Sequence, residues 1–509
     1  MRAVDTPGQT RRNHPPAPPR RRLALMSLCL AGFLIQLDVT IVNVALPAIQ
    51  HGLGAGPNAL QWVIGGYALS LTVFIPLTGA LGDRYGHRAI LLAGLIVFGA
   101  ASTVAALSPT TSALSVARIG QGVGGAAMLS LTLAVLTDIY PSEHRGHAIG
   151  WWAAIGGAGF GAGPIVGGLL LAVTGWSAIF WINVPLVCLT VVLIARTVPR
   201  GSIVTDRRPL DLLGLAIVSM SLGLVTFALN TAAGQNAGLL RIGAPLVAGL
   251  VGLIGFVFQQ RIAREPLLPR RIRARRAFVG ACAVYLLGYT GFSGALYYVT
   301  LLFQNADGWS ALRTGLSWLL MNIPFLVVAQ ASGWIQRFVA TRWIVVSAGL
   351  LAASGFALLA AAANNATFLG AAAGYLTAGA GFGLLVPAVT HVAMRDLPRE
   401  IAGAASSVLN SSRQLGTAVG LAVIGVIGAT ATRSHWRAHT GDRRPDTISG
   451  VVSGRTTAAP APLHESAAQA FAAGYHAALV ACCACALTVS AVAWWAFRIP
   501  RRGPEVLGE

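Results

Sequence analysis

Apolar residues in this chain run in blocks long enough to cross a membrane, broken by short polar stretches rich in Gly, Pro and Arg. A helix of about 17 to 25 apolar residues spans a hydrocarbon core of about 30 Å, and lipid-facing backbone must satisfy its own hydrogen bonds, so each block predicts a transmembrane helix. Fourteen blocks are marked off, at 23–47, 60–82, 89–108, 112–137, 148–172, 177–195, 212–230, 242–258, 278–303, 311–332, 343–363, 367–394, 402–430 and 471–497. A count of thirteen also fits the pattern.

Composition agrees with the periodicity. Over 509 residues the chain is 55% hydrophobic and 10% charged, against about 25% charged for a soluble protein. The class is therefore an all-α polytopic membrane protein. The net charge of +20 is carried by arginine, with no lysine, and the arginines are sorted by loop rather than gathered into a nucleic-acid patch. The N-terminal tail, alternate loops and the C-terminal tail hold most of them, whereas the short opposite loops hold only Arg241 and Arg313. Excess arginine marks the cytoplasmic side, so both termini are expected there; the Ala-, Gly- and Arg-rich usage without lysine suggests a high-GC bacterial source, and so a multi-pass protein of the bacterial cytoplasmic membrane. The arginine-bearing segment 431–470 falls on the outer side and reads as a flexible loop, since long loops translocate largely regardless of charge. The start HPPAPPRRR lacks an A-x-A cleavage pattern and leads into a full span, so residues 1–22 read as a disordered cytoplasmic tail and residues 499–509 as a second one.

Among sixteen acidic residues, only Asp38 falls well inside an apolar run, LIQLDVTIVNVALP. A carboxylate at bilayer depth costs about 2.5 to 3.5 kcal/mol, and its default meaning is a buried functional group such as a proton site. The fourth span, ARIGQGVGGAAML, carries Arg118 and Gln121; Arg118 either meets a buried partner or snorkels to the interface. In the fifth span Gly159, Gly163 and Gly167 repeat every four residues beside Pro164. Such a ridge serves close helix packing with a kink, or a hinge. The turn GALGDRYGHR sets Gly79, Gly82 and Gly86 around Asp83, Arg84 and Arg88, and read alone it is a tight basic turn.

Two clusters suggest metal or catalysis and do not carry it. The six cysteines all lie in predicted spans, and adjacent cysteines of CCAC (Cys482, Cys483, Cys485) point different ways with no His or acid beside them. Glu143, His144 and His147 in EHRGH lack a third nearby His, and His391 sits near a helix end. No metal site and no enzyme activity are expected.

Taken in order, LDVTIVNVALP, GALGDRYGHR, ARIGQGVGGA, GPIVGG, GWSAIFWINVPL, PLD at 209–211 and SRQLGTAVG resemble the motifs of the major facilitator superfamily, specifically its fourteen-span drug/proton antiporters. Ser177 and Ala178 depart from the family pattern. The second-half counterpart of the loop signature, GWIQRFVATRW, keeps only Gly333, Arg337 and Arg342. The resemblance implies two six-helix bundles, residues 23–200 and 277–498, related by a parallel repeat, with two inserted helices and linkers at 201–276.

It also implies roles. Asp38 would exchange protons and Arg118 would tune it. Gly79, Asp83, Arg84, Gly86 and Arg88 would form a gating loop, with Asp83 at the helix start near Ala402. Gly150, Gly159, Gly163, Pro164, Gly167 and Gly168 would form the antiporter motif. Asn43, Tyr67, Gln121, Tyr285, Trp318, Asn322, Asn410 and Gln414 are candidate cavity residues, aromatic and amide groups suited to amphipathic organic compounds. The expected activity is proton-coupled export of drugs or antibiotics by a monomer in the bilayer, driven by the proton gradient, with no cofactor and no nucleic-acid partner. A proton-coupled nutrient importer and a non-transporting sensor are the alternatives; the fifth-span motif argues against the first.

Overall fold

The computed structural model describes residues 18–55, 57–199, 211–233, 239–263, 266–267, 269–273, 275–362, 368–395, 397–398, 401–442 and 444–498. Among these the chain is helical with no strand, and 14 helices are long and apolar enough to cross a membrane. The N-terminal part comprises α1 (Pro18–Leu53), α2 (Pro57–Tyr85), α3 (His87–Ala106), α4 (Thr111–Ile139), α5 (Ser142–Val173), and the sixth span divided into α6 (Ala178–Trp181) and α7 (Asn183–Thr197). Then come α8 (Leu212–Ala233), α9 (Leu239–Ile262) and the short α10 (Arg270–Arg273). The C-terminal part is α11 (Arg276–Leu301), α12 (Ala311–Ser317), α13 (Leu319–Ile335), α14 (Thr341–Ala362), α15 (Phe368–Met394), α16 (Ala402–Val419), α17 (Gly425–Thr440), α18 (Pro445–Val452) and α19 (His464–Ala496).

The two halves pack by the same scheme. In the first, α1 lies against α5 and α7, α4 lies against α2 and α3, and α3 meets α7. In the second, α11 lies against α16 and α19, α15 lies against α13 and α14, and α14 meets α19. Taking α11 as the counterpart of α1, every pairing recurs, which is the signature of a parallel repeat. The halves meet where α5 packs on α12, α13 and α15, and where α2 and α4 pack on α16. The inserted α8 leans on α2 and α16, while α9 rests on α8 and is exposed along nearly its whole length. Between its terminal Arg241 and Arg261 it exposes apolar side chains, among them Val247, Leu250, Val251, Ile254, Val257 and Phe258, as a lipid-facing helix requires. Asp211 locks this hairpin: its carboxylate accepts the Gly214 N–H at 2.8 Å and the side-chain amides of Gln259 and Gln260 at 2.9 and 2.5 Å.

Between α16 and α17 the helix widens at Gly420–Ile424 into a π turn. A wide turn leaves carbonyls without their usual partners. Here α11 supplies them: Thr290 and Ser293 donate to the carbonyls of Gly416 and Thr417 at 3.2 and 3.0 Å, and the Tyr298 hydroxyl donates to Gly425 at 3.0 Å.

Segment 431–470 differs from the flexible loop its composition suggests. α17 continues to Thr440, α18 follows, and α19 already begins at His464. Trp436, Ile448, Val451, Ala459, Ala467 and Ala470 bury one another in a small core of their own. The apolar residues that make this core are too sparse in sequence to form a span, and only the return of α19 beside α17 brings them together. At the other end, α1 extends back to Pro18, into the expected tail; the rest of that tail, residues 499–509, and Pro209 and Leu210 of PLD lie outside the described residues.

Candidate functional site

Asp38 is fully buried, and five helices converge on it. From α4, Arg118 Nη1 donates to Asp38 Oδ2 at 2.5 Å; Gln121 Nε2 and Asn183 Nδ2 of α7 donate to Oδ1 at 3.2 and 3.0 Å. Arg118 also donates through Nη1 to the side-chain carbonyl oxygen of Gln121 at 2.9 Å and through Nε to the backbone carbonyl of Val63 in α2 at 3.1 Å. Gln121 also donates to Ser102 of α3 at 2.8 Å. The guanidinium lies 4.3 Å from the Tyr67 ring centre and 6.0 Å from that of Phe180. Arg118 is 2% exposed, so it is no snorkelling interface residue.

A pair like this, dry and hydrogen-bonded on both sides, stands only while both charges are present; removing one partner of a buried pair costs about 3 to 5 kcal/mol. Asp38 also lies nearer one membrane face than a mid-bilayer reading suggests. Its span runs from Arg20 to Leu46, so about 12 Å of helix separates Asp38 from the Leu46 end and about 27 Å from the start.

Nearer the face where α1 begins, the loop signature forms a second ionic cluster. Asp83 accepts the N–H groups of Gly403 and Ala404 at 2.7 and 2.8 Å, the free donors at the start of α16 in the opposite half. Carboxylates suit that position because the helix dipole is positive there. On its other side Asp83 meets His87 Nε2 at 2.8 Å, and His87 Nδ1 meets Asp138 at 2.7 Å. Gly79 lets α2 approach: a Cβ there would strike the Ser407 hydroxyl and stand 2.6 Å from the Gly403 carbonyl. Gly86, at φ +96°, turns the chain between α2 and α3 in a conformation that favours glycine. Arg84 and Arg88 point elsewhere. Arg84 lies over the Tyr85 ring at 5.5 Å, and Arg88 donates to the Ala195 carbonyl at the end of α7 at 2.7 Å.

The glycines of α5 serve two neighbours. Gly159, Gly163 and Gly167 admit Phe33, Thr40 and Ile41 of α1, while Gly150 faces the Ala329 carbonyl of α13 and Pro164 faces Gly315 of α12. Gly168 is half-buried. In the second half, Gly333 abuts the backbone of His147, and Arg342 stacks 3.2 Å from the Trp494 ring centre.

The eight candidate cavity residues do not share one place. Tyr67 and Gln121 belong to the Asp38 cluster. Asn410 is buried and donates to the Leu129 carbonyl of α4 at 3.3 Å and to Ser406 of its own helix at 3.0 Å, tying the halves together. The Tyr285 hydroxyl meets Thr390 and the Val386 carbonyl. Trp318 stacks on Phe160 of α5 at 5.7 Å, and Asn322 donates to the Trp318 carbonyl at 3.0 Å. Asn43 is exposed and Gln414 half-buried.

Sequence pattern alone does not single out Asn183, His87 or Arg413. An amide inside the apolar run FWINVPL, a His beside an acidic turn and an Arg eleven residues into a span were the available signals. Among the described residues no group of three His, Cys, Asp or Glu side chains could hold a metal.

Residues 28–421 match the family profile described as Major Facilitator Superfamily. The chain is 33% identical over 412 residues to the tetracenomycin C resistance and export protein of Streptomyces glaucescens, a match that covers 80% of this chain and 76% of that one. It is 32% identical over 453 residues to the puromycin resistance protein pur8 of Streptomyces alboniger, covering 86% and 88%. Its fold is similar to the crystal structure of the human organic anion transporter MFSD10 (TETRAN), with a TM-score of 0.64 and 18% identity over 94% of this chain and 100% of that one.

Proposed function

The chain belongs to the Major Facilitator Superfamily, and from that premise we propose that it exports amphipathic drugs or antibiotics across the cytoplasmic membrane in exchange for protons. It is a multi-pass drug-efflux transporter of this superfamily, and to this we add proton coupling and the residue roles that follow. The observation that carries it is the Asp38–Arg118 pair, closed off from water and wired to five helices.

When Asp38 takes a proton, Arg118 loses its counter-charge and keeps only Gln121, the Val63 carbonyl and two aromatic faces. The attraction holding α1 to α4 then falls, and the packing of α1 on α5 carries the change to the seam between the halves. At the other face, taken as cytoplasmic, Asp83 on the α16 N-terminus clamps the halves shut. Substrate enters from the cytoplasm when that clamp opens and leaves on the opposite side when it closes, as two bundles rocking around a site between them require. The relatives' names, tetracenomycin C and puromycin, support organic antibiotics as substrates.

The test uses inverted vesicles with an acid interior, a panel of antibiotics and dyes, and wild type beside Asp38→Asn. A compound that dissipates the gradient only with wild type establishes proton/drug exchange. Flux that is equal in both proteins removes Asp38 from the coupling, and uptake driven in the opposite sense would favour the importer.

A further inference from the structure

Arg413 stands eleven residues past the start of α16, about 16 Å along the helix and so near the middle of a 30 Å core. Charges at such depth normally have a partner on the protein. The buried acids are already engaged: Asp38 with Arg118, and Asp83 with His87 and the α16 backbone. The guanidinium of Arg413 makes no hydrogen bond or ion pair among the described residues; it lies 5.4 Å from the Tyr289 ring centre and is half-buried. Its helix packs on α2 and α4 of one half and on α11 of the other, which places it at the seam.

Two further observations accompany it. Tyr289 begins a run of aromatic contacts, Tyr289 to Phe292 at 5.9 Å, Phe292 to Phe160 at 6.3 Å and Phe160 to Trp318 at 5.7 Å, and this run crosses from the C-terminal half to α5 of the N-terminal half. The hydroxyl of Tyr67, a residue 4% exposed, and the indole N–H of Trp318 are both buried without a hydrogen-bond partner. Arg and Trp only donate, and a Tyr hydroxyl can donate. The seam therefore offers donors, a positive charge and aromatic faces.

We propose that Arg413 is the anion-recognition point of the export site, so that the preferred cargo is an aromatic compound carrying a carboxylate, sulfonate or ionised phenol. This rests on the export reading for its physiological meaning. The anionic oxygens meet Arg413 in charge-assisted hydrogen bonds, with the Tyr67 hydroxyl as an additional donor, while the rings lie along Tyr289, Phe292 and Phe160. Arg413 thereby acts as a specificity-determining residue separate from the Asp38–Arg118 pair.

A matched pair of fluorescent probes tests this on the full-length protein in proteoliposomes. 8-Anilinonaphthalene-1-sulfonate and N-phenyl-1-naphthylamine share one aromatic frame and differ by the sulfonate. Wild type should bind the sulfonate at least about tenfold more tightly; Arg413→Gln should abolish that preference while leaving the neutral probe within about twofold, and Arg413→Lys should retain part of it. Unchanged binding of the neutral probe shows that the variant is folded. Equal binding of both probes by wild type, no binding of either, or an unchanged preference in Arg413→Gln overturns the proposal. Flux measured in the same vesicles separates the two readings. Proton-driven export of the neutral probe alone keeps export and sinks anion selectivity, whereas sulfonate-selective binding with no export of any compound keeps the site and sinks export.

Discussion

Asp83 and Gly403 belong to opposite halves of the molecule, and the carboxylate of the first accepts the backbone N–H of the second at 2.7 Å. The contact spans the seam between the halves, so separating them on that face would break it. A charged acceptor on free helix N–H groups is worth about 1.5 to 3 kcal/mol, and the helix dipole adds about 0.3 to 1 kcal/mol. Asp83→Asn should therefore leave the amount of folded protein unchanged, shift the population toward opening on that face by about tenfold or more, and slow net export. Thiol labelling of a cysteine placed at Ser407 reads the opening; labelling no faster than in wild type would remove Asp83 from the clamp.

Gly163 and Gly156 sit on the same helix and should respond oppositely to alanine. A Cβ at Gly163 would collide with the hydroxyl of Thr40, two residues beyond Asp38, and stand 2.9 Å from the Ile41 backbone nitrogen, whereas a Cβ at Gly156 meets nothing within 4 Å. Overpacking typically costs about 1 to 3 kcal/mol, while Gly→Ala in an open helix position gains about 0.5 to 1 kcal/mol. Gly163→Ala is expected to lower the unfolding temperature and export together, and Gly156→Ala to leave both unchanged or raise the first. Equal tolerance at the two sites would show that α1 and α5 are not held by this approach.

How legible the molecule was in its sequence depends on what was asked. Span number and helical class follow from run length, because lipid admits few alternatives to a helix. Asp38 and Arg118 stand out because a charge in an apolar run is conspicuous, but their meeting across 80 residues is a property of the α1–α4 packing. Asn183 is harder to see. A neutral amide costs little enough in a helix to pass as filler, and only the fold shows its nitrogen 3.0 Å from Asp38. His87 reads as one more basic turn residue until α4 brings Asp138 to its other nitrogen. Segment 431–470 differs from its expected flexible form for a similar reason: its core is built from residues distant in sequence, which no local pattern displays.

With the N-terminus taken as cytoplasmic, this small core lies on the outer side and gives a prediction of its own. Trp436 is 1% exposed and packs with Ile448, Val451 and Ala467. The segment 441–463 should resist protease added to the outer side of intact membranes, despite its Pro, Thr and Arg content. Truncating a buried Trp costs about 3 to 5 kcal/mol. Trp436→Ala should therefore make the segment cleavable within the time that wild type stays intact. Rapid cleavage of wild type would show that the core does not form in the membrane.

Asn183 offers the most discriminating test of coupling, because it touches Asp38 without carrying charge. Its amide nitrogen is one of two donors to Oδ1, while its own carbonyl oxygen is buried without a hydrogen-bond partner. Replacing it by Leu, close in volume, removes the hydrogen bond and the unsatisfied oxygen together, so folding should change little. What changes is the hydrogen bonding of the Asp38 carboxylate, whose Oδ1 then keeps only the Gln121 donor. Proton-driven export is expected to fall by about tenfold, the equivalent of about 1.4 kcal/mol. Substrate-for-substrate exchange, which needs no proton step, should continue at a rate near that of wild type. If exchange falls as far as net export, Asn183 supports the packing of α7 and the effect is structural; if neither changes, the Asp38 site does not depend on its third donor.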